Sequence, residues 1–525
     1  MPLGTALRDA PGAGPVIVAG AGIGGLAAGL SLAASGREVI VTDRATHPGG
    51  KIRRVNGAAA GPTVLTLRWV FEALFETACA RLSDRVRLTP LDILARHFWS
   101  DGTTLDLHAD PEASAAAIRD MAGARGEAQF RAFSDRARRL FDGFLDPVMR
   151  APRPDPAGIT RALIRDPGLM RAMAPGTSLD GLLQRSFDDP RLAQLFGRYA
   201  TYVGGLPHRT PALLSLIWEA EAAGVWAAEG GLTALAQAVA DLFSELGGTL
   251  RLGTGVREIR TDGAGVIGVA LDDGTEIATG TVIFNGDPRA LGLGLLGPAV
   301  EAAAPQALRR ARSLSAEVWS VRGRWHGPDL AHHNVFFRDD PTPEFRALDR
   351  GATAPDPTLY LCAEDRGLGQ PPCELDRFEI IVNASPLTQT PSERKEFREC
   401  RKRTFGHLER FRATISPTPG PDALTTPKDF EALSPGSAGS LYGQSPHGPM
   451  AAFSRPTARS AVPGLYLAGG GVHPGPGVPM AALSGMRAAE AITMDRASLS
   501  RSRRAGMPGG MSTGSATTAP ARSRS

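Results

Sequence analysis

Cysteine is scarce in this chain. Cys79, Cys362, Cys373 and Cys400 are the only four in 525 residues, and no two form a Cys-x-x-Cys pair. That excludes a disulfide framework and a zinc motif of recognised spacing, and it fits a reducing compartment. Aromatic residues are few as well, 6 % of the chain with five tyrosines. No basic run is interleaved with aromatics, so nothing reads as a nucleic-acid track. Neither sign of charge dominates: 58 Lys and Arg stand against 54 Asp and Glu, a net of +4. Arg501, Arg503, Arg504, Arg522 and Arg524 carry much of that excess, which leaves the body close to neutral. The opening MPLGTALRDAPGAG lacks the apolar core of a signal peptide. One long apolar stretch runs from Pro15 to Val41, but its glycines divide it into strand, turn and helix. No other window is long enough to cross a bilayer, so any membrane contact is expected to be peripheral.

What is present suits a large folded enzyme: 42 % hydrophobic and 21 % charged residues. The length predicts two intergrown domains. Val16–Ala19 reads as a short strand, Leu26–Ala34 as a helix and Glu38–Thr42 as a second strand, a βαβ unit near the N-terminus. A helical, arginine-rich middle spans about 113–223 and breaks at the Pro/Gly cluster 147–156. Within it, Ile159–Met173 reads as one amphipathic helix bearing Arg161, Arg165 and Arg171, suited either to the core or to an anionic membrane surface. A second α/β stretch begins near Gly230. It holds a helix at Leu232–Leu246, a strand at Thr249–Ile259, the pair Val266–Ala270 with Glu276–Ala278, and a strand at Val282–Asn285. A mixed region with strands such as Glu379–Val382 follows. A strand, a glycine turn and a helix then run over Gly464–Ala491. From Arg496 onward little can be buried, and the tail is expected to be disordered.

Three motifs carry chemistry. In Gly20-Ala21-Gly22-Ile23-Gly24-Gly25, Gly20 permits the turn, Gly22 lets backbone approach a pyrophosphate and Gly25 lets the helix pack on the sheet. The anion then meets free N–H groups at a helix N-terminus. Asp43 ends the second strand 23 residues beyond Gly20, placed to take ribose hydroxyls. Next comes Arg44-Ala45-Thr46-His47-Pro48-Gly49-Gly50-Lys51, whose Gly-Gly-Lys resembles the extended FAD fingerprint of the amine oxidase and phytoene desaturase superfamily. Physically, Lys51 brings a positive charge to the diphosphate. The third motif is the glycine turn Gly469-Gly470-Gly471 followed by His473-Pro474-Gly475-Pro476-Gly477-Val478-Pro479-Met480. Its helix would aim a positive end at the flavin N1–C2=O2 edge.

Ala60-Gly61-Pro62-Thr63-Val64-Leu65-Thr66, Gly439–Gly443, Phe453-Ser454-Arg455-Pro456 and the HPGPGVPM segment resemble the bacterial carotenoid desaturases. The combination of GPTVLT…RWVFEALF with GVHPGPGVPMAALSG is similar to the branch that acts on acyclic hydroxycarotenoids. The likeness runs over about 14–493. Two positions depart from the family: Ala59 stands where an acid is common, and Asp43 where glutamate is more usual. The resemblance implies an α/β fold, a Rossmann-like FAD-binding domain (14–105, 225–300, 450–493) interleaved with a mixed α+β substrate domain (106–224, 301–449), and a tail at 496–525. It implies FAD as cofactor, held by Gly20, Ala21, Gly22, Ile23, Gly24, Gly25, Asp43, Arg44, Gly50, Lys51, Pro62, Thr63, Val256, Asp287, Gly470, Gly471, Pro479 and Met480. No catalytic residue and no metal site is assigned. His473 is either a proton shuttle or a structural hydrogen-bond donor. The implied partners are a lipid substrate, an acyclic carotenoid, and the cytoplasmic surface of an inner or photosynthetic membrane. The competing readings are a phytoene desaturase or amine oxidase of the same superfamily, an NAD(P)-dependent reductase, and a non-enzymatic isoprenoid carrier with eroded cofactor turns.

Overall fold

The computed structural model describes residues 14–369, 374–387 and 393–505. The N-terminal stretch up to residue 13, Cys373 and residues 506–525 lie outside them.

β1 (Val16–Ala19), α1 (Ile23–Ala34) and β2 (Val39–Asp43) form the expected first unit. β3 (Thr249–Leu252), β4 (Val282–Phe284) and β5 (Leu465–Leu467) complete a five-stranded parallel sheet in the order β5-β4-β1-β2-β3. β1 is buried along its whole length because both faces of this sheet are covered. Alternation divides its side chains. Val16 and Val18 pack into the helical layer with Leu26 and Leu30, while Ile17 and Ala19 face Val269, Phe284 and Leu291 on the other side.

The single strand expected over Thr249–Ile259 is two strands in two sheets. β3 pairs with β2, whereas Val256–Thr261 pairs antiparallel with Val266–Leu271. Gly253, at φ +80°, turns the chain between them, and Thr254 N donates to Asp43 O at 3.0 Å. The break therefore brings Gly255 and Val256 beside the end of β2.

A second sheet of eight strands runs Thr414–Ser416, Ser315–His326, Asp376–Ala384, Leu359–Ala363, His333–Phe336, Ile93–Phe98, Thr104–His108, with Leu424–Thr425 also on Ser315–His326. Ile93–Phe98 pairs in parallel with His333–Phe336. That moves residues 93–105 from the FAD-binding segment assigned to them into the sheet of the other layer. Local pattern does not reveal a partner more than 230 positions away. Helices from 111 to 222 cover this sheet through Phe130, Phe133, Phe196 and Trp218 against Leu105, Val335 and Phe337.

The amphipathic helix expected over Ile159–Met173 is also two elements, Pro156–Arg165 and Pro167–Met173. Pro167 disfavours helical backbone at Asp166, which sits at φ −129°, ψ 90° and caps the second helix through Gly168 N.

α2 (Val478–Ala505) continues past the point where disorder was expected, so 496–505 are helical. Asp495 anchors it, accepting from Tyr466 Oη at 2.8 Å and pairing with Arg459 at 2.8 Å. α2 crosses α1 at glycines. A Cβ on Gly485 would sit 2.0 Å from Gly24 O, so the two helices that carry the glycine turns are locked backbone to backbone.

Candidate functional site

One cavity of about 880 Å³ reaches both glycine turns and continues between the two sheets and the helical layer. Every residue expected from the sequence to hold the cofactor lines it except Ala21 and Gly25. Those two shape the turn instead. Ala21 N donates to Asp43 Oδ2 at 2.7 Å, and a Cβ on Gly25 would lie 2.0 Å from Gly20 O. Asp43 holds its own strand end as well, with Oδ1 accepting from Ala45 N at 2.8 Å.

The N-terminus of α1 has Gly22 as its cap, no side-chain capping bond and no acid in its first turn. An uncapped helix end opening on a cavity through Gly22, Ile23 and Gly24 is an anion site waiting for a ligand. α2 also opens on the cavity, through Val478, Pro479 and Met480, with no acid in its first turn. These features fit a dinucleotide with a flat ring: diphosphate at the first turn, the ring beside the second.

Some expected roles differ once side chains are in place. The Lys51 ammonium donates to Leu441 O at 2.9 Å and Ser440 O at 3.3 Å, tying the second motif to the 437–443 loop. Burial lowers its pKa to about 8, partly opposed by Asp287. Asp287 lines the cavity, but its oxygens are committed, one to Arg289 N at 2.9 Å and one to the Arg312 guanidinium. His473 is not a cavity residue. Its Nε2–H donates to Ala151 O at 3.0 Å, and desolvation lowers its pKa, so it is neutral and structural.

Two residues outside the expected cofactor-binding set are central. Asn285 Nδ2 donates to Gly20 O at 3.0 Å and Gly22 O at 3.3 Å, and its Oδ1 would lie 2.7 Å from a Cβ on Gly24. Arg455 is buried and donates to Tyr442 O at 2.9 Å, Gly470 O at 3.1 Å and Gln444 O at 3.1 Å, fixing the second glycine turn. Their sequence signal was a strand-end Asn-Gly-Asp and a Ser-Arg-Pro whose tertiary partners could not be read.

Ala59 stands where the resembled family commonly has an acid. Here Glu364 Oε1 accepts from Ala59 N at 2.5 Å and Glu379 Oε1 from Gly61 N at 2.7 Å, so two acidic side chains, one on the large sheet and one just beyond a strand of it, hold this segment from behind. Thr63 then reaches the cavity and shares a 2.6 Å hydrogen bond with Tyr360, which is 2.6 Å from His333 Nδ1. Sheet register, not sequence spacing, brings His332, His333 and Cys362 together, with ligand-type atoms within 4.8 Å.

Away from the turns the cavity wall is predominantly apolar, with Phe141, Phe144, Leu213, Leu216, Phe337 and Phe453 among its residues. It can seat a long hydrocarbon with one end at the cofactor turns.

The family of flavin-containing amine oxidoreductases matches residues 23–321 and 389–493. A hydroxyneurosporene desaturase of Cereibacter sphaeroides is 50 % identical over 490 residues, covering 93 % of this chain and 99 % of that protein. A lycopene-forming phytoene desaturase of Pseudescherichia vulneris is 32 % identical over 486 residues, covering 88 % and 96 %. Among solved structures, an oxidoreductase from Methanosarcina mazei superposes with TM-score 0.60 at 15 % identity, over 91 % of this chain and all of that one. At that identity the likeness speaks for the fold.

Proposed function

The chain belongs to the flavin-containing amine oxidoreductase family, and from that premise we propose that it desaturates an acyclic hydroxycarotenoid. It is an FAD-dependent oxidoreductase. The observation that carries the reading is the continuity of one cavity from two glycine turns into apolar walls, in a chain half identical to a hydroxyneurosporene desaturase. Gly20–Gly24, Asp43 and Gly50 would hold the diphosphate and ribose of FAD, and Gly470, Gly471 and Met480 its ring end.

Bound FAD supplies the acceptor for two electrons and one hydrogen. The rest falls to the chain. One C–H of the substrate leaves as hydride and its neighbour's C–H as a proton, and the electron pair left behind becomes the new C=C bond. The adjacent polyene spreads the developing positive charge, so a weak base suffices. Apolar walls such as Phe141 and Leu216 keep water from the reacting carbons and fix which carbon pair is presented.

Feeding phytoene, neurosporene and 1-hydroxyneurosporene separately tests the substrate class. The hydroxylated compound should be turned over best, by roughly ten- to hundredfold, the worth of one buried hydroxyl contact of about 1–3 kcal/mol. Equal turnover of all three, or of phytoene alone, rejects the hydroxycarotenoid assignment and leaves the flavin chemistry standing.

The substrate resides in lipid, and no described helix is long and apolar enough to cross a membrane. We place the membrane contact at Pro156–Met173. Ile164 is 74 % exposed and Met170 46 %, among exposed Arg161, Arg165 and Arg171. The inner side of the same pair, Leu163 and Leu169, packs with Phe144, Leu213 and Phe453 of the cavity wall. Co-sedimentation with anionic liposomes that weakens as salt rises is the expected result. Carotenoid conversion by a protein that never co-sediments would rule this contact out.

A further inference from the structure

A cavity built for a hydrocarbon has little use for charge, yet Arg198 and Glu221 line it while only 7 % and 3 % exposed. Arg198 opens the turn Arg198–Val203, and Glu221 lies on the short helix Ile217–Ala222. Arg198 Nη2 is 3.0 Å from Glu221 Oε1 and 3.2 Å from Tyr199 Oη, and Tyr199 donates to the same Oε1 at 2.6 Å. Arg198 Nη1 donates to the Tyr202 hydroxyl. The guanidinium lies 4.6 Å from the Tyr199 ring centroid and 5.0 Å from that of Tyr202. For all this, Glu221 Oε2 and Arg198 Nε have no hydrogen-bond partner among the described residues.

A buried ion pair stabilises only when its remaining donors and acceptors are satisfied, and an unsatisfied buried group calls for an explanation. The cavity's other buried acids supply the contrast. Asp287 has both oxygens bonded, to Arg289 N and the Arg312 guanidinium. So does Glu344, to Thr358 N at 2.9 Å and Asn383 Nδ2 at 3.2 Å.

We propose that Arg198, Glu221 and Tyr202 form the pocket for a hydroxyl at the end of the polyene, an assignment that rests on the desaturase reading. A hydroxyl both donates and accepts. It can give its proton to Glu221 and take one from the Arg198 guanidinium. A keto end only accepts and leaves the Glu221 oxygen bare. An anionic end meets Glu221 and a cationic end meets Arg198, so a neutral pair selects a neutral ligand. The location fits as well. Tyr202, Val64 and Tyr360 pack on one apolar cluster, and Tyr360 bonds Thr63 at 2.6 Å. The hydroxyl would thus sit on the same cluster as Tyr360, the hydrogen-bond partner of Thr63, a residue assigned to the cofactor, so the new double bond would form near the hydroxyl end.

The test compares kcat/KM for 1-hydroxyneurosporene and neurosporene in flavin-loaded wild type and in Arg198→Met/Glu221→Leu, which removes both charges together. The wild-type preference for the hydroxylated substrate should fall ten- to hundredfold, chiefly through KM. A preference that survives the double substitution overturns the pocket, and so does an equal loss on both substrates, the mark of a structural role. Where the double variant does not retain flavin, Glu221→Gln and Tyr202→Phe decide by the same ratio: a fall supports the pocket and an unchanged ratio overturns it. Wild type that converts neither compound rejects the desaturase reading itself, and the ligand of this pocket with it.

Discussion

Replacing Gly22 by valine is expected to give a folded protein that carries no flavin. Gly22 caps α1 at φ −66°, ψ 166°, backbone that any residue adopts, so the substitution introduces no backbone strain. A Cβ there would meet Asn285 Nδ2 at 3.0 Å and otherwise only Gly50 Cα at 4.0 Å. The small displacement of one amide is what the fold must absorb. The two methyl groups beyond the Cβ have to go into the cavity, against the uncapped end of α1 where we propose the diphosphate binds. Flavin absorbance per polypeptide should drop to near zero while the far-ultraviolet circular dichroism stays native. Gly25→Val is the informative contrast: its Cβ would already be 2.0 Å from Gly20 O, so both signals should fail together. A Gly22→Val protein with a full complement of FAD would mean that the diphosphate does not lie on this turn.

That contrast shows which parts of the site could be read from the sequence. A diphosphate makes demands on a few consecutive residues: a strand, a turn without side chains, a helix end and an acid one strand later. Gly20, Gly22 and Asp43 meet them within a single βαβ unit, so the spacing alone was informative. The second turn at Gly469–Gly471 was legible for the same reason. The particular contacts of Asn285 and Arg455 were not, because Asn285 works across 265 positions on Gly20 and Arg455 on carbonyls of two separate stretches, Tyr442 and Gln444 in one and Gly470 in the other.

Much the same division holds for the fold. Val16, Val18, Val39 and Val41 announce a buried parallel strand pair by composition. The change of sheet at Gly253–Gly255 was missed because Thr249–Ile259 keeps a strand-like pattern through it. The strand pairing, together with the 3.0 Å bond from Thr254 N to Asp43 O, reveals the switch. Pro167 did carry a signal, a proline after an aspartate, that outweighs amphipathic periodicity and splits Ile159–Met173. Arg198 and Glu221 lay within a helical, arginine-rich stretch where any one arginine looks solvated. Their burial depends on how the helical layer settles over Val335 and Phe337.

The other large effect is one of pH. Burial pushes the Glu379 carboxyl up from an ordinary 4.5 to about 8, helped by the neighbouring Glu364, while the Gly61 N–H and Arg53 pull the other way. Cys362 and Ser320 flank it on the adjacent strands, and neither supplies a compensating positive charge. Its folded pKa therefore lies above its unfolded one. The stability it contributes is complete below about pH 4.5 and is lost as pH rises toward 8, because the unfolded chain ionises there and the folded chain does not. Each pH unit in that window costs about 1.4 kcal/mol, so the total is on the order of a few kcal/mol. Glu379→Gln fixes the neutral form and keeps an oxygen for Gly61 N. The thermal midpoint of the variant, measured against wild type from pH 5 to 8.5, should gain steadily with pH; a constant difference between the two would show that Glu379 is ionised in the folded protein. Flavin retention should change only where the folded carboxyl itself ionises, near pH 8. Gly61 begins the stretch that carries Pro62 and Thr63 into the cavity, and Glu379 holds that stretch by a single 2.7 Å bond from behind. Charge developing on the buried carboxylate above pH 8 loosens this part of the cavity wall, and the glutamine variant should keep its flavin where wild type begins to release it.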